Sequence, residues 1–427
     1  MFERNFLLNQ IARVVKTKTL RQSSVTFTGT FATGILGMVF HILIARQLGP
    51  ASLGVFTLCI STYLLIANIG EVGTNTGIVR FAGKYIAEKP KKAYRFLKLA
   101  LEIKLIVWLV LSVIGWFLVP FIVDTLLEKP ELLNPMRITI ISVGGGLLFS
   151  FSTHSLQALE KFFTWSIINI SSNTFRLVVL FLLITFGTLN LYSGLILYYI
   201  FPFLGFFIGL VFLPRFLSVK NEWSVSGEFF KYNKWVALFT VIAAMSARLD
   251  IFISGRFLPL DQVGIYSVAT SLVSIVPQVV FALAVVVAPK LAKFTNNNQA
   301  TNYLMKLQIF VILLAVLGIL VGIPISYFVI PFLYGSEYLA SIGPFIVLLF
   351  AQAIFLISIP AHTSIFYYFS YPKLFVYVET IHIFLVAILG WTLVSSFGIM
   401  GAAFTVLIGN IFNLAMPAAW VFNKFRS

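Results

Sequence analysis

The chain has 427 residues, of which 59% are apolar and only 10% are charged. A soluble globular protein does not contain so many apolar residues, so the composition indicates a polytopic membrane protein. The net charge of +16 does not indicate a nucleic-acid-binding protein, because the basic residues lie almost entirely between the apolar runs. The single cysteine, Cys59, lies within an apolar run, which leaves no disulfide framework and no cysteine metal site.

The N-terminal segment, residues 1–23, precedes the first apolar run. Within residues 5–20, apolar side chains recur at helical spacing and basic side chains lie opposite them. This pattern fits an interfacial helix lying on anionic membrane lipids. A disordered basic tail fits the same residues equally well.

Twelve apolar runs follow, each close to the ~20 residues that cross a bilayer as a helix. Because backbone groups in lipid must be paired internally, each run is expected to be a helix. The runs lie at about 24–45, 51–76, 97–119, 136–158, 164–186, 191–213, 235–255, 264–289, 307–330, 343–366, 374–395 and 399–422.

The basic residues set the expected orientation. With the N-terminus inside, the inner segments hold 23 Lys and Arg residues and the outer segments hold four. Cytoplasmic segments are enriched in these residues, so both termini are expected in the cytoplasm. The predicted division is an N-terminal bundle at 24–213, a cytoplasmic linker at 214–234, a C-terminal bundle at 235–422 and a cytoplasmic tail at 423–427.

An internal repeat supports this division into halves. The stretch 46–56 returns at 256–266, with Arg46 over Arg256 and Gly54 over Gly264, at an offset of about half the chain. Since six spans separate the copies, the halves should be related by a pseudo-twofold axis along the membrane normal. The predicted fold is therefore all-α, with 12 transmembrane helices in two pseudo-symmetric six-helix bundles and a working site between them.

The same polar helix face occurs in both halves. The second run carries a stripe of polar side chains along one helix face, and the eighth run carries a matching stripe. The repeat offset aligns three residues of the first stripe with three residues of the second. A polar face turned to lipid is costly, so these faces should line a shared wet cavity, although hydrogen bonding between helices would also explain them. The stripes consist of Thr57, Ser61, Asn68 and Glu71, and of Ser267, Ser271, Ser274 and Gln278.

Three ionisable residues are predicted deep in the membrane: Arg176, Arg248 and Asp250. Arg248 and Asp250 are two positions apart on a helix, so they should not pair with each other. A buried cation without a partner is costly, and an anionic cargo would explain it. A structural ion pair with another span is the alternative.

Further residues are candidates for coupling or gating. Glu71 and Glu379 lie near inner ends of spans, where either could take a coupling proton or cation or pair with a basic neighbour. Pro277 should kink its span and could act as a hinge. The basic candidates are Arg46 and Arg256, which could guide a leaving anion or hold the repeated turn, and Arg80. Lys104 is expected to extend to the membrane surface instead.

No pattern of a catalytic site occurs. The chain lacks a phosphate-binding glycine loop, a zinc motif and a nucleophile elbow, and its four histidines have no metal-ligand spacing. An enzyme is therefore not expected, and neither a catalytic residue nor a metal site is assigned.

Several motifs resemble one known group. R-x-L-G-P-x-x-L-G-V-F at residues 46–56, G-I-V-R at 77–80, R-L-D at 248–250 and V-G-I-Y-S at 263–267 are similar to the polysaccharide-transporter branch of the multidrug/oligosaccharidyl-lipid/polysaccharide (MOP) exporter superfamily. This branch includes O-antigen-type flippases of lipid-linked oligosaccharides. The resemblance extends over roughly residues 20–300, and its motifs specify the superfamily better than the cargo.

The resemblance implies two bundles in a V shape around a partly cationic cavity, in which Arg248 would meet the diphosphate of the cargo. The implied function is a flippase that moves polyprenyl-diphosphate-linked oligosaccharide across the plasma membrane of a prokaryote for surface polysaccharide assembly. No cofactor is implied, and coupling to a proton or sodium ion stays open, as does contact with a polysaccharide polymerase. The alternatives are a multidrug antiporter of organic cations and a membrane glycosyltransferase or polymerase.

Overall fold

The structure is a computed structural model that describes residues 18–291, 293–294, 296–371 and 373–426. Within these residues it consists of helices and connecting turns, without strands. The α-helices are α1 Lys18–Gly70, α2 Thr74–Gly77, α3 Gly83–Tyr85, α4 Pro90–Phe121, α5 Leu133–Ala158, α6 Phe162–Thr185, α7 Leu191–Val211, α8 Ser226–Ser246, α9 Leu249–Phe257, α10 Leu260–Val273, α11 Ile275–Leu291, α12 Asn297–Leu333, α13 Ile342–Ile357, α14 Ile359–Thr363 and α15 Lys373–Arg426. Segments of π-helix lie at Ile78–Ala82, Ile122–Leu127 and Ser364–Tyr368. The predicted surface helix at 5–20 lies almost entirely outside the described residues.

Most of these helices are suited to a bilayer. In the described part of the chain, nine helical segments are long and apolar enough to cross a membrane, and the bent pair α8–α9 is a tenth candidate. Their apolar side chains face outward over much of their length, as expected where lipid replaces water as the solvent. The prediction of a helical, multi-spanning membrane protein is confirmed.

Two of the helices are long enough to cross a membrane twice. α1 has 53 residues and α15 has 54, and each contains one glycine with non-helical backbone, Gly49 with φ 73° and Gly398 with φ 60°. Positive φ is a conformation that glycine adopts without steric cost. In α1 the next residue is Pro50, which suits the first position of a new helix. Each long helix is therefore two helices joined at a glycine kink, at breaks that the apolar pattern predicts.

The first two helices of the second half are also interrupted. α8 and α9 meet at a bend of 41° around Ala247 and Arg248. α10 gives way to α11 at Ser274, three residues before Pro277. Proline removes a backbone donor and clashes with the preceding turn, which explains a break at this position. Both interruptions lie beside the central cavity described below.

The two halves touch most closely where the repeated turns meet. A Cβ atom on Gly54 would lie 1.8 Å from the carbonyl oxygen of Leu260, and one on Gly264 would lie 2.0 Å from that of Pro50. The contacts are reciprocal, as a pseudo-twofold axis requires, and they bring backbone against backbone. We call this contact the glycine seam and this end of the molecule, which also holds Gly49 and Gly398, the turn end.

Polar contacts across the halves surround the glycine seam. The guanidinium of Arg46 donates to the carbonyl oxygen of Phe332, 3.2 Å away. Arg256, its repeat counterpart, forms an ion pair with Glu128 of the first half. The buried hydroxyl of Tyr338 donates to the carbonyl oxygen of Ala45 at 2.8 Å. Each repeated arginine thus reaches into the opposite half, so these contacts close the turn end.

The opposite end, which we call the linker end, holds residues 214–234. Here α8 lies against the first half, where a Cβ atom on Gly77 would lie 2.5 Å from the amide nitrogen of Asn233. Glu228 accepts from Lys92 Nζ at 2.7 Å, and Glu222 pairs with Lys98 at 3.1 Å. The helix that begins at Ser226 therefore starts within the predicted linker and packs on the first half.

The glycine seam leads to a first prediction. In Gly264→Val, the added side chain must displace the backbone of Pro50, and overpacking of this kind costs about 1–3 kcal/mol. We expect the turn end to open, which raises the reactivity of a cavity cysteine introduced as Ser271→Cys by roughly tenfold. Labelling with a water-soluble maleimide in detergent measures this, since the native Cys59 is buried.

Gly318→Val is the matched control, because a Cβ atom at Gly318 meets nothing within 4 Å. Equal labelling of both variants, with unfolding temperatures like that of the parent protein, would contradict the conclusion that the glycine seam holds the turn end closed.

Candidate functional site

A cavity of about 930 Å³ lies between the two halves. Its walls come from both parts of α1, from α6 and α7, and from α8 to α11, α13 and α15. The volume lies in the range of pockets that enclose a small molecule or a headgroup. The predicted working site between the halves therefore corresponds to a real space in the structure.

Arg176 is the only formally charged side chain among the described lining residues of the first half. Its guanidinium lies over the rings of Phe40 at 4.5 Å and Tyr198 at 4.9 Å. It donates to the side-chain oxygen of Asn173, while its Nε atom is buried without a partner. Within the described residues no carboxylate pairs with it, so its charge is stabilised by aromatic faces and stays available to an anion.

Arg248 and Asp250 line the second half of the cavity. Arg248 sits at the bend between α8 and α9, where the helix is interrupted and its φ is −132°. The carboxylate of Asp250 accepts a hydrogen bond of 2.9 Å from Tyr266, and no ion pair between Arg248 and Asp250 occurs in the described structure. The tyrosine thus binds the carboxylate of Asp250, and Arg248 lines the cavity two positions before it.

The polar stripes of the two halves both reach the cavity, except at two positions of the first stripe, Asn68 and Glu71. In the first half Thr57 and Ser61 are lining residues, and in the second half the whole stripe lines the space, with Ser267, Ser271, Ser274 and Gln278. Asn68 is exposed elsewhere and is not among the lining residues. The hydroxyl of Thr57 is buried without a hydrogen-bond partner. The same helix face is therefore polar in both halves because it faces a common space.

Small residues of α1 make room in the cavity. Gly34 and Gly37 line it, and a Cβ atom at either position would meet nothing within 4 Å. The space beside them is open, in contrast to the glycine seam, where the same residue type allows backbone contact.

The sequence analysis missed a polar cluster on the second half. His382 exchanges a hydrogen bond of 3.0 Å with Ser246 and lies 3.8 Å from the carboxylate of Glu379. Oxygen atoms of Gln352 and Asn413 are buried here without partners. The histidines are scattered in sequence and show no metal-ligand spacing, and only the fold brings α8, α13 and α15 together. The i, i+3 spacing of Glu379 and His382 was the one signal available.

The other gating candidates divide between three places. Glu379 and Pro277 line the cavity, Arg46 and Arg256 lie at the turn end, and Arg80 lies in a second pocket at the linker end. Glu71 follows the last residue of α1 and lies outside both pockets.

One expectation was wrong. Lys104 does not extend to the surface, because it is 0% exposed and donates to the hydroxyl of Ser150 at 2.9 Å inside the first half. Ser150 of α5 lies beside Lys104, so the ammonium donates a hydrogen bond to a hydroxyl inside the bundle.

Within the described residues, no group of three or more His, Cys, Asp and Glu side chains could hold a metal ion. Besides the carboxylates of Asp250 and Glu379 and two histidines, the cavity offers hydroxyls, amides and two arginines. Such groups bind an anion and a surrounding set of hydroxyl groups.

Solved structures of similar shape include a lipid flippase and transporters of the MOP superfamily. The lipid II flippase MurJ in an inward closed conformation matches with a TM-score of 0.74 and 19% identity, over 92% of this chain and 87% of that one. An inward-facing multidrug resistance MATE family transporter of the MOP superfamily matches with a TM-score of 0.74 and 12% identity, over 92% and 94%. A MOP superfamily transporter from Pyrococcus furiosus matches with a TM-score of 0.66 and 13% identity, over 95% of both chains. The TM-scores show a shared fold, and at such low sequence identities they show the fold alone.

No curated protein matches the chain in sequence. The family model described as polysaccharide biosynthesis protein matches residues 19–295, which is more than half of the chain. The protein belongs to this polysaccharide biosynthesis family and has the fold of MOP superfamily transporters.

Proposed function

We propose that the protein is a flippase for polyprenyl-diphosphate-linked oligosaccharides. It moves them from the inner to the outer face of the plasma membrane of a prokaryote, where they serve surface polysaccharide assembly. The observation that carries this proposal is the cavity between the halves, which holds two arginines, neither of which forms an ion pair within the described residues, beside stripes of hydroxyls. The family and the shared fold with a lipid II flippase support it.

The cavity solves the difficulty that such a cargo presents. Sugar hydroxyls and a diphosphate lose their hydration in hydrocarbon, at a cost too large for unaided crossing. In the proposed mechanism the lipid tail stays in the bilayer while the headgroup enters between the halves. Arg248 and Arg176 then bind the diphosphate from opposite walls, and Thr57, Ser61 and Ser271 replace water around the sugars.

Closing the linker end and opening the turn end would then release the headgroup on the other side. The glycine seam and the two arginine contacts around it form the gate that must separate. The breaks at Arg248 and Ser274 are the hinges at which α8–α9 and α10–α11 bend. A diphosphate that moves outward also gains about 2.3 kcal/mol per charge for each 100 mV of membrane potential.

This mechanism assigns an orientation to the molecule. Counting α1 and α15 as two crossings each and α8–α9 as one gives twelve crossings, with both termini and the linker end in the cytoplasm. The excess of Lys and Arg in the segments at that end supports the assignment.

The cluster of Glu379, His382 and Ser246 is the proposed site of a coupling proton or sodium ion. Its carboxylate lies in the cavity wall, and the hydroxyl of Ser246 belongs to the last turn of α8, next to the bend. A cation bound here would therefore act on the same hinge that positions Arg248. Asp250 is a poorer candidate, because Tyr266 already occupies its carboxylate.

The arginines give the most direct prediction. Arg176→Gln and Arg248→Gln should each lower transport by at least tenfold, because a diphosphate loses a charge-assisted contact of about 1.5–3 kcal/mol. Flipping of a fluorescent lipid-linked saccharide in proteoliposomes measures this, with a membrane-impermeant sugar-modifying reagent outside. Arg137→Gln is the control, since Arg137 lies over Trp116 away from the cavity.

Full transport by either cavity variant would remove that arginine from the mechanism. Transport of organic cations in place of the saccharide would support a multidrug antiporter, and sugar transfer onto the lipid would support an enzyme.

Coupling is tested separately with Glu379→Gln. If Glu379 carries the coupling cation, the variant should transport several-fold more slowly and lose the dependence of the rate on a proton or sodium gradient. Transport that responds to the gradients as the parent does would contradict this role, and a parent rate without any gradient dependence would leave the membrane potential as the driving force.

A further inference from the structure

A second pocket lies at the linker end, separate from the cargo cavity. It encloses about 400 Å³ and shares no lining residue with the cavity. Arg80, Phe81 and Lys84 line it from the first half, and Glu228, Lys231 and Tyr232 line it from α8. The pocket therefore spans the boundary between the halves on the predicted cytoplasmic side.

The pocket is strongly cationic. Arg80 lies over the ring of Tyr232 at 4.2 Å and over that of Phe81 at 5.8 Å, and Lys84 and Lys231 are exposed beside it. In the described structure none of these three cations forms an ion pair with a carboxylate. Three positive charges thus surround one cleft.

The single carboxylate in the lining does not neutralise them. Both oxygens of Glu228 are engaged, one by the hydroxyl of Tyr85 at 2.9 Å and the other by Lys92 Nζ at 2.7 Å. The hydrogen bond from Lys92 lowers the pKa of Glu228, so the carboxylate stays ionised and stays paired with that lysine. Lys84 also acts on this carboxylate from a greater distance, so one negative charge, held mainly by Lys92, faces three positive charges.

A phosphate group is the ligand that suits this arrangement. A guanidinium held flat by an aromatic ring keeps its donors in one plane and can bind two phosphate oxygens at once. The flexible lysines at the rim add positive charge without fixing the orientation of the bound phosphate. The apolar neighbours Val79 and Phe230 are exposed, which is the surface expected at the level of lipid headgroups. These features favour a membrane phosphate over a soluble one.

The pocket also depends on how the halves are placed. Its Lys231 and Tyr232 belong to α8, a continuous helix from Ser226 to Ser246, and Ser246 lines the cargo cavity. Arg80 and Lys84 belong to the first half. A ligand that contacts both sides binds best when the linker end is closed and so favours that conformation.

We propose that this pocket binds the phosphate headgroup of an anionic phospholipid, and that the bound lipid holds the linker end closed. The binding site does not depend on which cargo the protein moves. The consequence for transport rests on the proposed function, in which the linker end must open to admit cargo.

Binding is tested first, on the purified full chain in nanodiscs of phosphatidylcholine with increasing phosphatidylglycerol. Native mass spectrometry after release into detergent should show one retained phosphatidylglycerol in the parent. Arg80→Gln/Lys231→Gln should lower its retention by about tenfold, since each basic residue contributes a several-fold factor. The control is Lys89→Gln/Lys91→Gln, which removes the same charge from exposed positions outside the pocket.

Equal loss in both double variants would overturn the site, because it would show attraction to surface charge alone. Displacement of the lipid by millimolar inorganic phosphate, with equal retention of phosphatidylcholine, would overturn the lipid assignment in favour of a soluble anion.

The effect on conformation is tested without cargo, so it does not depend on the flippase assignment. Adding phosphatidylglycerol should lower maleimide labelling of Ser271→Cys several-fold, and Arg80→Gln/Lys231→Gln should abolish this response. A response that persists in the pocket variant would overturn the role of the pocket in closure, even if the flippase assay succeeds.

Discussion

The arrangement of the whole molecule depends on one contact between two backbones. At Gly54 and Gly264 each half places a helix so close to the other that a Cβ atom would overlap a carbonyl oxygen. Association of helices in lipid relies on close packing, because the surrounding hydrocarbon is as apolar as the side chains. Since the contact lies at the turn end, the helices diverge from it and leave a space between the halves. The cavity lies within this space, and the proposed gate is the contact itself.

The charges within that space follow a consistent pattern. The carboxylates have close neighbours. That of Asp250 accepts a hydrogen bond from Tyr266, and that of Glu379 lies 3.8 Å from the ring of His382. Among the described residues neither cavity arginine forms an ion pair, and Arg176 is held by aromatic rings instead. A charged residue within the membrane is costly, so an unpaired cation in a polar cavity indicates an anionic ligand. This asymmetry distinguishes the proposed flippase from an exporter of organic cations with the same fold.

Much of this could be predicted from the sequence, for identifiable reasons. The bilayer imposes a length on each apolar run, and the 210-residue offset reveals the repeat, so the helical fold and the matching stripes of Ser61 and Ser271 follow from the pattern alone. The kink at Gly49 likewise follows from a Gly-Pro pair in a predicted break.

Other features depend on which helices the fold brings together, and no local pattern contains that information. The aromatic support of Arg176 comes from the distant helix α1 and the neighbouring helix α7, and the cluster around His382 needs α8 beside α15. The burial of Lys104 depends on one serine of α5. The sequence also leaves open whether Arg80 faces water or a partner, whereas the structure places it against Tyr232 of the other half.

The central claim is that this protein exposes a lipid-linked saccharide on the outer face of the membrane. The most direct measurement uses cells that lack the gene, with labelled lipid-linked saccharides and a membrane-impermeant sugar-modifying reagent. The account predicts that the saccharide accumulates in the unreactive inner pool and that the restored gene returns it to the reactive outer pool. Equal reactivity with and without the gene would contradict the account.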